Sequence, residues 1–178
     1  METQSVFERF LRNTKEEAAA LVDKTNLLRI SPEPRDPPHR YLCELDVPYL
    51  RRLADGPVVP AEGPVLAGIQ FPDEYLHSVD PHLYMHVVVM LTPDIVHPNI
   101  SPPFVCLGSA FRPGTSITAL VTELYEIVSY QNFCVEERNA LNPEACRLFR
   151  NRPDLLQGLR PAPLFRRKRR LQIEVKAI

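Results

Sequence analysis

Glycine is scarce in this chain, at 6 of 178 residues, while proline is abundant at 19. That balance excludes a flexible low-complexity chain and predicts many stiff connections. No stretch reaches the roughly 18 apolar residues of a membrane-spanning helix. The four cysteines, Cys43, Cys106, Cys134 and Cys146, include no CxxC pair. No His or Cys pair has the spacing of zinc ligands, so no metal is expected. There is no glycine-rich phosphate loop and no internal repeat. The opening METQSVFERF lacks the basic-then-apolar pattern of an export signal. With four dispersed thiols, this leads us to expect a reduced, cytoplasmic protein.

Charge is small in sum and uneven in place. The net charge is −1, yet residues 160–178 carry +6, which leaves −7 on the remainder. We therefore divide the chain into a domain over 1–159 and a basic tail over 160–178. The run RRKRR at 166–170 suits an acidic partner or a solvated tail equally well. Only Phe165 adjoins it, so no aromatic platform for nucleic acid is expected, nor is a membrane partner.

Along the domain, Phe7, Phe10, Leu11, Ala18, Leu21 and Val22 recur at helical spacing, predicting a helix over 3–24. Four strands are expected at 27–31, 40–47, 65–71 and 83–91, with a turn-rich connection over 48–64. In the second, Tyr41, Cys43 and Leu45 share one face. The apolar run 87–91 suggests cover on both sides of the fourth. Ile117, Leu120, Val121, Leu124, Ile127 and Val128 form a helical stripe within 115–131, with Thr115 or Ser116 as its cap. Asn142-Pro143-Glu144 reads as N-cap, first position and first turn of a further helix. The expected fold class is α+β, an antiparallel meander with helices packed against it.

One stretch carries chemistry. HPNISPPFVCLG, residues 97–108, puts a His-Pro-Asn triplet ahead of a cysteine, with prolines 102 and 103 between. A thiolate is the reactive form of cysteine. An acyl group carried on it passes through a tetrahedral oxyanion when transferred, and a fixed side-chain amide can stabilise that charge. By themselves Asn99 reads as a turn residue and Cys106 as a small hydrophobe. His82 and His86 read as ordinary edge or surface residues, and Cys43, Cys134 and Cys146 as small hydrophobes.

These words, in this order, resemble the ubiquitin-conjugating enzymes over residues 5–152. FPDEY (71–75) is similar to the family's Phe-Pro-x-x-Tyr, HPNI (97–100) to its His-Pro-Asn triplet, and CLG (106–108) to its active-cysteine segment. FRP (111–113) resembles its Trp-x-Pro turn, and LNPEACRLF (141–149) its Asn-x-Glu-Ala segment. The resemblance implies an N-terminal helix, a four-stranded antiparallel meander, a catalytic loop and C-terminal helices. It also implies a transferase that carries a ubiquitin-like protein as a thioester on Cys106 and passes it to an amine, with Cys106 as the nucleophile and Asn99 as the donor. Its partners would be the ubiquitin-like protein, an activating enzyme and a protein acceptor, and it needs no cofactor. His97 and Pro98 would be structural supports.

The chain departs from the family in four places. Cys106 follows Asn99 by seven positions, one fewer than usual. Asn139 stands where an acidic residue or serine is common, with Glu136 and Glu137 nearby. Leu76-His77 replaces the usual Pro-Phe, whose aromatic serves RING-type ligases in the family, and the long C-terminal helix is missing. Divergent bacterial members of the family look most similar. Two other readings stay open: an inactive binding module of the same fold, and a cysteine hydrolase using His97.

Overall fold

The computed structural model describes residues 5–77, 85–108, 111–159 and 162–165. The basic run 166–170 and His82 lie outside them.

Helix α1 spans Val6–Val22. Ser5 accepts the Glu8 amide at 3.1 Å, and the Glu8 carboxylate accepts the Ser5 amide at 3.2 Å, closing a capping box. The helix buries Leu11, Thr14, Ala18 and Leu21. Strands β1 (Leu28–Pro32) and β2 (Arg40–Asp46) follow. Next come β3 (Tyr49–Arg52), β4 (Val58–Ala61), β5 (Pro64–Gln70) and β6 (Val88–Met90). Two-residue strands β7 (Ile100–Ser101) and β8 (Phe104–Val105) close the sheet region. Helices α2 (Ile117–Val128), α3 (Pro143–Asn151) and α4 (Asp154–Gln157) complete the chain, with a 3-10 turn at Glu137–Asn139.

The architecture is α+β with every strand pair antiparallel. Inward-facing Tyr41, Cys43, Leu45, Val65, Ala67, Ile69, Val88 and Met90 join the α1 and α2 stripes in one core. The FPDEY segment joins those layers. The Phe71 ring lies 5.3 Å from Phe10 and 4.9 Å from Tyr75, while the Tyr75 hydroxyl donates to the Thr115 carbonyl at 2.6 Å. Ser116 caps α2 through the Ala119 amide, and Asn142 caps α3 through the Ala145 amide. No helix among the described residues is long and apolar enough to cross a membrane.

The expected four-stranded meander needs correction. Among the described residues the main sheet has six strands, ordered β1-β2-β5-β6-β8-β7, and β3-β4 form a separate hairpin. The hairpin lies within the stretch read as a connection. Prolines masked it, yet Pro60 sits in a two-stranded ribbon that does not require its missing N–H for a second neighbour. Strands β7 and β8 are too short to show an alternating pattern. The fourth strand is shorter than expected: Val87, Val88 and Met90 are buried and Val89 half-buried, while Leu91, just past the strand's end, is 48% exposed. The strand's apolar character has a lateral origin: Leu42, Gly68, Val89 and Phe104 are successive cross-strand partners along one outward row.

Candidate functional site

The opening motif is a hairpin. Ile100 pairs with Val105 and Ser101 with Phe104, and a two-residue turn of Pro102 and Pro103 joins them through a cis peptide. Extending that register by one step sets Asn99 opposite Cys106. The Cys106 amide donates to the Asn99 carbonyl at 2.8 Å. The seven-residue spacing follows directly: it is what a two-residue turn between three-residue arms requires.

The return bond of this pair is unusual. The Asn99 backbone amide donates instead to His97 Nδ1 at 3.0 Å. Its place is taken by the side chain, whose Nδ2 donates to the Cys106 carbonyl at 3.3 Å. Asn99 Oδ1 accepts the Cys134 amide at 2.7 Å. These two partners fix which end of the amide is oxygen, because a flip would oppose two donors and two acceptors.

His97 is fully buried, and burial pushes its pKa down to about 3, so it is neutral. Since Nδ1 accepts a hydrogen bond, the proton is on Nε2. The ring lies 4.9 Å from Tyr130 and 6.2 Å from Phe133. The ring's one accepting nitrogen is committed to the Asn99 backbone, so the imidazole is a brace with no free lone pair to take a proton from Cys106. Pro98 is buried, and its carbonyl accepts the Asn142 amide at 3.0 Å.

The triplet is held from both sides. Towards β3, the Val96 amide donates to the Leu50 carbonyl, and the Tyr130 hydroxyl accepts from Leu50 N–H at 3.0 Å and donates to the Val96 carbonyl at 2.8 Å. Tyr130 has φ 58, the left-handed conformation, just past the end of α2. That position usually takes glycine, and here the buried phenol's two bonds hold a tyrosine in it. Towards α3, the bonds from Cys134 and Asn142 anchor both ends of segment 135–141. Neither Tyr130 nor the Cys134 amide was found from sequence, and the backbone role of Cys134 has no residue-type signal at all.

The acidic cluster on that segment separates into two environments. Glu137 is bound by Arg147 at 2.9 Å and Arg150 at 3.0 Å, and the Arg147 hydrogen bond leads in holding its carboxyl below the usual range. Glu136 uses Oε2 alone, accepting from Asn139 Nδ2 at 2.8 Å and Arg138 Nε at 3.1 Å. Asn139 therefore orients the Glu136 carboxylate.

The thiols also differ. Cys43 is fully buried, and burial pushes its pKa up to about 12. Cys146 is buried and its pKa raised, mainly for the same reason. Cys106 and Cys134 are half-buried. A small hollow of about 90 Å³ lies between Leu107 and α2, walled by Phe111, Ala119 and Leu120 with Thr115 and Glu123 also lining it. A polar hollow of about 560 Å³ near His39 is lined by Phe71, Pro72, Asp73 and Glu74 of the FPDEY segment and by no residue of the 97–108 stretch. Among the described residues no cluster could hold a metal ion. No protein-family model matches the chain, and no curated protein matches it.

Proposed function

We propose that this protein is a ubiquitin-conjugating-type transferase that carries a ubiquitin-like protein as a thioester on Cys106. The supporting observation is the backbone pairing of half-buried Cys106 with Asn99 at the base of the 100–105 hairpin, with the Asn99 side-chain amide held on the Cys106 carbonyl. Asn99 Nδ2 uses one hydrogen on the Cys106 carbonyl and has a second to offer an oxyanion formed at the adjacent sulfur. The small hollow at Leu107, the residue after Cys106, gives room for a narrow chain end.

Transfer to an amine requires a proton acceptor as well. When the amine attacks the thioester carbon, its nitrogen becomes positive and the carbonyl oxygen negative. Glu136, positioned by Asn139, is the carboxylate with an oxygen left to accept the proton, whereas Glu137 is committed to two arginines. Collapse of the intermediate then expels the Cys106 thiolate. The partners in this reading are a ubiquitin-like protein, its activating enzyme and a protein acceptor, and the fold is the corresponding conjugating fold with an added hairpin.

The test is a non-reducing gel after incubation with ubiquitin-like protein, activating enzyme and ATP. A dithiothreitol-sensitive adduct is expected with the parent chain and not with Cys106→Ala, while Cys106→Lys should trap a stable amide. A second reading, a binding module without transfer activity, is favoured by one observation: both ends of the Asn99 amide are already bonded. Noncovalent capture of the ubiquitin-like protein, with no adduct in the presence of a competent activating enzyme, would decide for that module.

A further inference from the structure

Cys134 and Cys146 play no part in the proposed transfer, yet the fold brings them together. Cys134 lies in the irregular segment after α2, and Cys146 lies in α3. Cys146 Sγ donates to the Cys134 carbonyl at 3.3 Å, and Cys134 Sγ donates to the Glu136 carbonyl at 3.3 Å. Both thiols line one hollow of about 230 Å³, shared with Phe133, Val135, Phe149 and Arg150. Cys134 is also among the groups that raise the pKa of Cys146, behind burial. The C–O and Cα–C bonds of Cys134 together span at most about 2.8 Å. Added to the 3.3 Å hydrogen bond, they place Cys146 Sγ within about 6 Å of the Cys134 Cα.

Inert packing explains Cys43, which is sealed on the inner face of β2. It does not explain two thiols on separate elements sharing an open hollow, one of them half-buried beside a segment without regular structure. We infer that Cys134 and Cys146 form a redox-active dithiol site that a hydroperoxide converts to a disulfide. Cys134, the more exposed, attacks a peroxide oxygen as its thiolate. The O–O bond breaks, the first water leaves, and Cys134 becomes a sulfenic acid. The Cys146 sulfur then attacks the Cys134 sulfur, the S–O bond breaks, and the second water leaves. For hydrogen peroxide, two thiols and one peroxide give one disulfide and two waters, with two electrons passing from sulfur to oxygen. The Cys134 amide holds Asn99 Oδ1, so the new bond would tie the amide's anchor covalently to α3. This inference does not rest on the transferase reading.

The experiment treats the full chain with hydrogen peroxide, blocks remaining thiols with N-ethylmaleimide under denaturing conditions, and maps peptides from combined trypsin and Glu-C digestion by tandem mass spectrometry, since Arg112 precedes Pro113 and trypsin alone leaves Cys106 and Cys134 on one peptide. Arg138 separates the two cysteines, so their cross-link joins two peptides. We expect a reductant-sensitive Cys134–Cys146 pair, with Cys43 and Cys106 both alkylated. Cys134→Ser should abolish it and leave Cys146 alkylated, whereas Cys146→Ser should abolish it and leave Cys134 as a sulfenic or further-oxidised acid. If a serine variant fails to fold, the parent map alone decides. In the parent, alkylation of both thiols, over-oxidation of Cys134 without a cross-link, or a disulfide to Cys106 or to a second chain would each overturn the inference.

Discussion

The backbone amide of Cys134 points its hydrogen at the Asn99 side chain, 2.7 Å from Oδ1, across 35 residues of sequence. With Nδ2 on the Cys106 carbonyl, one side chain clamps the two segments that flank the candidate nucleophile. Asn99→Ala should therefore cost stability before any chemistry is measured. It leaves the part-buried Cys134 amide unpartnered, a loss of about 1–3 kcal/mol. Asn99→Asp keeps that acceptor but opposes an oxygen to the Cys106 carbonyl, so it should be intermediate. Urea unfolding followed by circular dichroism measures both, and an Asn99→Ala variant as stable as the parent would remove the clamp.

His97 predicts a pH dependence. Its folded pKa is about 3, below the 6.5 of a free histidine, because the buried ring has no water to stabilise its charge. Between those values the unfolded chain binds a proton that the folded one refuses, so stability is full above pH 6.5 and falls as pH drops. By pH 5 the loss from this residue should reach about 2 kcal/mol. His97→Gln should begin less stable, having lost the Nδ1 acceptor, but show a flatter slope between pH 7 and 5. Equal slopes in the two proteins would mean the imidazole is not the group responsible.

The division between Glu136 and Glu137 can be read from single-turnover discharge. A preformed thioester on Cys106 is mixed with free lysine, and loss of the adduct is timed. Glu136→Gln should charge normally and discharge about 10²-fold more slowly, the lower end of general-base effects. Asn139→Ala should slow discharge less, because it misplaces the carboxylate without removing it. Glu137→Gln should discharge like the parent. Equal discharge by parent and Glu136→Gln would assign the proton elsewhere while leaving thioester chemistry intact.

Much of this frame was legible because local signals were strong. The α1 stripe, the Asn142-Pro143 start of α3 and the alternation of β2 each express one periodicity or one capping preference over enough residues to be read. The residues of the candidate site were also legible, but the geometry joining Asn99 to Cys106 was not. Strands of two residues have no period, and prolines 102–103 read as an irregular bend when they are the turn of a hairpin. The clamp on Asn99 comes from a backbone N–H that every residue but proline has, so no letter at position 134 could announce it. Tyr130 was hidden for a different reason: its bonds to Leu50 and Val96 cross 80 and 34 residues, far outside any local window.

The outward row of the sheet offers a test of packing that involves no chemistry. A Cβ added to Gly68 would lie 2.9 Å from Val89 Cγ2, its cross-strand partner. Valine is β-branched and has few rotamers with which to withdraw. Both positions lie within paired strands, so the backbone cannot yield without disturbing β2 and β6. Gly68→Ala should therefore destabilise the protein by about 1–3 kcal/mol, as overpacking does, despite the entropy alanine removes from the unfolded chain. Shortening the partner relieves the clash, so Val89→Ala should cost less in the Gly68→Ala background than in the parent. The coupling in a double-mutant cycle should be about 0.5 kcal/mol or more. Additive effects would show that Gly68 is not kept small by Val89, and that the apolar row is loosely packed.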